Sequence, residues 1–144
     1  MYKIDRTSYG LFIVLGGSLE EGEIKRYFSE LRSVLTTVEG PFSAIIDVRT
    51  AVPSRPEVLR LFLEQLQWSK NTPCQRFAIL GKSPVIKGQA IQLMFQSEMT
   101  ESIRYFDTSK AANWEKICLD WVVKGIEPDY EAMPSPDRAQ VPKG

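Results

Sequence analysis

The sequence predicts one α/β domain with a mixed, mostly parallel five-stranded sheet and four helices. The chain enters this domain through a β-hairpin and continues as alternating helices and strands. Apolar runs of strand length alternate with amphipathic helical segments, which is typical of parallel strands joined by crossover helices. The length of 144 residues suits a single domain. The 43% hydrophobic and 25% charged residues are those of a globular protein.

The first two predicted strands form the hairpin. Residues 2–7 alternate between two faces, with Tyr2 and Ile4 on one of them, as in a half-buried strand. Gly10 suits the tight turn that follows, because glycine adopts positive φ without strain. Residues 11–15 are apolar without alternation, which predicts a strand buried on both faces.

The other three strands are predicted from short apolar runs at residues 42–48, 77–80 and 101–106. Between these runs, apolar residues recur at helical spacing, as in the stripe that contains Ile24 and Leu31. A strand order that alternates with helices in this way implies right-handed crossovers between parallel neighbours.

The predicted helix starts carry recognisable caps. Ser18 with Glu21, and Ser54 with Glu57, have the spacing of a capping box. Ser83 is followed by a proline, which is favoured at the first position of a helix.

The last predicted helix precedes a proline-rich segment. Its apolar stripe contains Trp114 and Trp121, and Gly125 is expected to end it. Its competing N-cap residues are Asp107, Thr108 and Ser109. The domain therefore covers residues 1–125, and residues 126–144 are predicted to be a flexible tail.

The charge balance argues against a nucleic-acid or anionic-membrane binder. Eighteen basic residues offset eighteen acidic ones, so the formal net charge is zero. A protein that binds phosphates through its overall field needs a positive excess. The N-terminus has no signal-peptide pattern and no apolar run has membrane-spanning length, so no membrane insertion and a cytoplasmic location are expected.

Catalytic and metal-binding chemistry has few candidates. The chain has no histidine, which removes the commonest general base and the commonest zinc ligand. Cys74 and Cys118 are distant in sequence and are expected to be reduced thiols. The sequence therefore predicts no catalytic residue, no metal site and no cofactor.

Two stretches carry a resemblance to a known family. Residues 45–48 lead into a capped helix, and residues 104–107 lead into the helix that contains Trp114 and Trp121. With the order of the elements, they resemble the STAS domain (sulfate transporter and anti-sigma factor antagonist) and its SpoIIAA-like bacterial relatives. The resemblance spans residues 1–124 and implies a mixed sheet with helices packed on it.

The resemblance also implies a regulatory site. In the regulatory branch of the family, a kinase partner phosphorylates a serine at the start of the helix after the central strand. The nearest position in this chain is Ser54, with Arg55 beside it. The family's turn has an Asp-Ser-Ser-Gly type of sequence, whereas residues 52–56 of this chain read Val-Pro-Ser-Arg-Pro. Ser54 is interpreted either as a helix cap or as a phosphosite, and the two are compatible.

Asp47 and Arg49 are candidate loop contacts at the carboxyl end of a central strand, where open α/β sheets bind ligands. A salt link from Asp47 to Arg49 or Arg55 is the simpler interpretation. Lys82, Ser83 and Lys87 are candidate contacts for a single anion at a helix N-terminus.

The third helix has wide apolar coverage. Ile91, Met94, Phe95 and Met99 spread beyond one narrow stripe, which indicates deep burial, a contact surface or the wall of a pocket. The leading functional hypothesis is a non-enzymatic cytoplasmic regulatory or interaction domain with an unidentified protein partner. A binding protein for a small apolar, lipid-like molecule is the alternative, a histidine-free enzyme ranks last, and a homodimer suits any of them.

Overall fold

A computed structural model describes residues 1–128. The strands are β1 Tyr2–Thr7, β2 Gly10–Leu15, β3 Phe42–Asp47, β4 Cys74–Gly81 and β5 Ile103–Asp107. The helices are α1 Glu21–Leu35, α2 Pro56–Ser69, α3 Pro84–Gln96 and α4 Trp114–Lys124. This order confirms the predicted hairpin and the alternation of strands and helices after it.

The five strands form one sheet in chain order, β1-β2-β3-β4-β5. β1 pairs antiparallel with β2, and every other neighbouring pair is parallel. Each crossover moves one strand in the same direction, so right-handed crossovers place α1, α2 and α3 on one face of the sheet. We call it the three-helix face, and we call the opposite face, which packs against α4, the α4 face.

β2 differs from its prediction as a strand buried on both faces. Leu11, Ile13 and Leu15 are buried against the three-helix face, whereas Phe12 and Val14 are half-buried. The reason is that a single helix covers the α4 face, and α4 contacts β3, β4 and β5. An apolar run therefore does not guarantee full cover on both sides of a strand.

Both predicted capping boxes are absent. α1 begins at Glu21 after Glu20, with no side-chain cap, because Gly17 first bridges to Ala51 of the loop after β3. α2 begins at Pro56 after Arg55, which is extended at ψ 159° as a residue before proline must be. Ser54 is thus one position too early to be the N-cap.

The start of α3 is as predicted and that of α4 is not. Ser83 accepts a hydrogen bond from the backbone N–H of Ile86, and Pro84 occupies the first turn. α4 begins only after Asn113, because the carboxylate of Asp107 already accepts hydrogen bonds from the backbone and hydroxyl of Ser109. Gly125 ends α4 in the left-handed conformation, as predicted.

The chain after α4 returns to the sheet. Glu127 forms an ion pair with Arg104 of β5, with 3.0 Å between Oε2 and the guanidinium. Arg104 also lies over the ring of Trp121. The prediction of a flexible tail concerns residues 126–144, of which residues 129–144 lie outside the described residues.

Candidate functional site

The loops that follow the parallel strands meet at the carboxyl edge of the sheet, where ligands bind in open α/β folds. The loop between β3 and α2, residues 48–55, lies between the start of α1 and the side of α3. We call it the β3–α2 loop. It contains three of the candidate residues predicted from the sequence, namely Arg49, Ser54 and Arg55.

The β3–α2 loop is fastened on both sides. On one side, the N–H of Gly17 donates to the carbonyl of Thr50 (2.9 Å) and the N–H of Val52 donates to the carbonyl of Gly17 (3.1 Å). On the other side, the backbone N–H of Ser54 donates to Oε1 of Gln89 (2.9 Å), and Nε2 of Gln89 donates to the carbonyl of Ser54 (2.8 Å). The loop therefore has a fixed shape.

The hydroxyl of Ser54 is left available at this fixed position. The residue is half-buried, and within residues 1–128 its hydroxyl makes no hydrogen bond. Arg55 is exposed and pairs with Glu20 at 2.8 Å and with Glu57 at 3.5 Å. A phosphate on Ser54 would gain from the N-terminus of α2 and from Arg55, and would be repelled by the two carboxylates.

Asp47 and Arg49 form a separate corner on the α4 face. Arg49 donates to both carboxylate oxygens of Asp47, at 2.9 and 2.8 Å, and its guanidinium lies 4.9 Å from the ring centroid of Trp114. The hydrogen bond to Asp47 raises the pKa of Arg49. Both oxygens of this buried carboxylate therefore accept hydrogen bonds from Arg49.

The candidate anion contacts lie at the N-terminus of α3. Lys82 and Lys87 are exposed, and Ser83 uses its hydroxyl oxygen to cap the helix. Binding of an anion there stays a prediction.

The candidate residues of α3 and its C-terminal turn separate into three environments. Met99 is buried in the core, Ile91 and Met94 are half-buried, and Phe95 is 67% exposed. The residues through which α3 lines a cavity are different ones, namely Ile86, Gln89, Ala90 and Leu93.

That cavity lies between the sheet and the helices of the three-helix face, and its volume is about 140 Å³. Its walls include Ile13 of β2, Ala44 of β3, Phe28 of α1 and Phe62 of α2, and no charged side chain of residues 1–128 lines it. Gln65 of α2 is a polar residue in this lining, and it is only 7% exposed.

The reasoning from sequence missed Gln65. It follows Val58 by seven residues and therefore lies on the same buried stripe of α2 as Val58. A polar residue at a core position was the available signal, because a buried amide needs hydrogen-bond partners. Within residues 1–128, the Oε1 of Gln65 has none.

Neither of the two cysteines has an activated thiol. Burial raises the pKa of both thiols, Cys74 and Cys118, to about 12, so neither is a thiolate at neutral pH. They lie on opposite faces of the sheet.

Among the described residues, no three Cys, Asp or Glu side chains cluster closely enough to hold a metal ion. Within residues 1–128, no helix combines the length and the apolar character needed to span a bilayer.

No protein-family model matches the chain, and no curated protein matches its sequence. Among solved structures, it is similar to the crystal structure of an uncharacterized protein from the DUF3478 family, with a SpoIIAA-like fold, from Shewanella loihica PV-4. The TM-score is 0.60 at 18% identity, over 85% of this chain and 92% of that chain. The chain thus has the SpoIIAA-like fold that the resemblance predicted.

Proposed function

We propose that this SpoIIAA-like domain is a non-enzymatic, cytoplasmic regulatory module that binds a partner protein. The proposed contact surface consists of the outer face of α3 and the adjoining β3–α2 loop, and we call it the recognition surface. The observation that carries the proposal is the weakly charged, partly apolar outer face of α3, which differs from the outer faces of the other helices on the same side of the sheet.

Helices α1 and α2 present charged side chains to solvent. The exposed charged residues of these two helices are Glu21, Lys25, Arg26, Glu30, Arg32, Glu57, Arg60 and Glu64. On α3, Lys87 is the exposed charge, while Val85, Gly88, Gln92 and Phe95 follow one another along one outer stripe. A solvated helix face is normally charged, and depletion of charge with an exposed aromatic is typical of an interface core.

Gly88 adds an independent argument. It lies in the middle of α3 on the exposed stripe, where glycine costs about 1 kcal/mol relative to alanine. A Cβ at this position would meet no atom within 4 Å, so packing among the described residues does not require a glycine. Close approach of a partner's backbone or side chain to α3 would account for it.

The β3–α2 loop continues this surface. Gln89 of α3 holds the backbone of Ser54 through two hydrogen bonds, so the loop and the helix form one rigid unit. The available hydroxyl of Ser54 and the 48% exposed side chain of Val52 extend the surface beyond α3. In this proposal, phosphorylation of Ser54 adds charge at the edge of a neutral interface and weakens binding of the partner.

The chemistry of the surface indicates the type of partner. The balanced charge of the chain and the single lysine on the outer face of α3 favour a protein with an apolar, weakly charged patch over a nucleic acid. Two free thiols on opposite faces of the sheet suit a reducing compartment. A homodimer through α3 is the competing occupant.

The test compares two aspartate substitutions at exposed apolar positions. Phe95→Asp lies on the recognition surface, and Val123→Asp on α4 is the matched control, because Val123 is 52% exposed. The partner is isolated with wild-type protein from the host, identified, purified and titrated against both variants. We expect Phe95→Asp to weaken binding at least tenfold and Val123→Asp to leave the affinity unchanged.

Gly88→Ala separates binding from folding. It is expected to stabilise the free protein by about 0.5–1 kcal/mol while weakening the partner complex. The proposal fails if Phe95→Asp and Val123→Asp bind equally well. It also fails if light scattering shows that wild-type protein is a dimer that Phe95→Asp converts to a monomer, which would identify α3 as a self-association face.

A further inference from the structure

The apolar cavity on the three-helix face contains one unsatisfied polar group. Gln65 lies in its wall, 7% exposed, and its Oε1 has no hydrogen-bond partner within residues 1–128. A buried carbonyl oxygen that has lost water and gained no donor is destabilising. Such a group in the wall of a cavity is satisfied when a molecule in the cavity donates a hydrogen bond to it.

Neighbouring hydroxyl groups do not serve this purpose. Ser69 donates its hydroxyl to the carbonyl of Leu66, and Thr72 donates its hydroxyl to the carbonyl of Ser69. Both residues line the cavity, and both have their donors committed to the backbone of the last turn of α2. Within residues 1–128, no side chain of the lining donates a hydrogen bond to Oε1 of Gln65, which leaves this acceptor open to a molecule in the cavity.

We propose that the cavity binds a small neutral, largely apolar molecule with one hydroxyl group, which donates a hydrogen bond to Oε1 of Gln65. This ligand site shares Val52 and Ser54 with the recognition surface, but its test below uses the chain alone and needs no partner protein. The ligand class is an aromatic or medium-chain aliphatic alcohol.

The size of the ligand follows from the volume. The cavity measures about 140 Å³. An engineered apolar cavity of about 150 Å³ in another protein accommodates benzene. A single ring with a short hydroxylated substituent matches this space.

The charge of the ligand follows from the lining. Among the described residues, no charged side chain lines the cavity, so a carboxylate or an ammonium group would be buried without a counterion. A carboxylate also has no proton to donate to the Oε1 of Gln65. A single water would satisfy Gln65 poorly, because a buried water typically needs about three polar partners and the lining is mainly aliphatic and aromatic.

The experiment uses three probes of similar size and different polarity, namely benzyl alcohol, ethylbenzene and benzoate. Binding to the full chain is measured by calorimetry and by the concentration-dependent increase in the unfolding temperature. We expect benzyl alcohol to bind about tenfold more tightly than ethylbenzene, because it alone satisfies Gln65. Benzoate is expected not to bind.

Two variants locate the site. Gln65→Leu replaces the amide with an apolar side chain of similar volume, and it should remove the preference for benzyl alcohol while keeping affinity for ethylbenzene. Ala44→Leu adds bulk from β3 into the cavity and should abolish binding of both probes, with Val123→Asp on α4 as a surface control that binds them normally.

Three results would overturn the proposal. The first is that no probe binds and solution measurements detect only a water at Gln65. The second is that Gln65→Leu keeps the full preference for benzyl alcohol. The third is that Ala44→Leu, folded as judged by its unfolding transition, binds the probes as wild type does.

Discussion

The two faces of the sheet are covered by different numbers of helices and are packed differently. On the α4 face, one helix covers the centre of the sheet with a small cluster that includes Phe106, Cys118 and Trp121. Trp121 also donates its indole N–H to the carbonyl of Phe77 at 3.0 Å. On the three-helix face, three helices cover the sheet, and a cavity of about 140 Å³ remains beneath them.

The difference shows that more covering elements do not give denser packing. A single helix can settle onto the sheet until its large residues meet small ones such as Ala78. On the other face, α2 packs against both α1 and α3, so it cannot settle independently of them. We therefore expect the α4 face to tolerate changes of side-chain volume less well than the three-helix face, which has room for a ligand.

The largest expected effect is on the α4 face. Trp121→Ala should lower the free energy of unfolding by about 3–5 kcal/mol, because it empties a close-packed site and removes the donor to Phe77. Phe62→Ala is the comparison on the three-helix face. Phe62 is half-buried and already borders the cavity, so its loss should cost less. Urea denaturation of both variants measures the difference, and equal losses would remove the contrast between the faces.

The Asp47–Arg49 corner gives the next effect. Arg49→Ala should destabilise the protein by about 2 kcal/mol, because it leaves a buried carboxylate without its charged donor. Asp47→Asn with Arg49→Ala should recover part of this loss, since the double variant buries no charge. A double-mutant cycle in urea gives the coupling energy, and a value near zero would show that the pair is not structural.

The hydrogen bonds that hold the β3–α2 loop make a smaller contribution to the free energy of unfolding. Gln89→Ala removes both hydrogen bonds to Ser54, which together should contribute about 1 kcal/mol. Gln92→Ala, on the exposed side of the same helix, is the control. Amide hydrogen exchange of Ser54 should accelerate in Gln89→Ala alone. If exchange is unchanged, the bridge to Gly17 suffices to hold the loop.

The two thiols, one on each face of the sheet, make the stability of the protein depend on pH in the alkaline range. Burial raises the pKa of Cys74 and Cys118 from 9.0 to about 12, so the folded state keeps protons that the unfolded state loses between these values. Stability is therefore expected to fall as the pH rises from about 9 to 12. At pH 8, Cys74 on the three-helix face should react with a thiol reagent before Cys118, because Cys74 is half-buried whereas Cys118 is only 1% exposed. Simultaneous reaction would indicate that both are exposed only by global unfolding.

Much of the fold was predictable because it depends on periodicity. The alternation of apolar runs and helical stripes determined the element order, and Ser83 and Gly125 marked helix ends through local chemistry. The starts of α1, α2 and α4 were mispredicted where tertiary contacts or proline geometry took precedence. Gly17 pairs with the β3–α2 loop, Gln89 binds Ser54, and Asp107 closes a local turn.

The site was less predictable because it depends on distances between elements. The sequence placed Ser54, Asp47 and Arg49 near one another, yet it could not show that the Asp47–Arg49 corner lies on the α4 face. The cavity arises from how three helices seat on the sheet, which no local pattern encodes. The sequence signal for the cavity was a polar residue, Gln65, on the apolar stripe of α2.

The contrast between the faces is tested most directly by two matched substitutions. Ala44 and Ala78 are 2% and 0% exposed, lie on the adjacent strands β3 and β4, and point to opposite faces. Ala44→Leu should leave the free energy of unfolding unchanged or raise it, because its added carbons enter the cavity. Ala78→Leu should lower it by about 1–3 kcal/mol, because the α4 face has no space for them. Equal losses in the two variants would contradict the account.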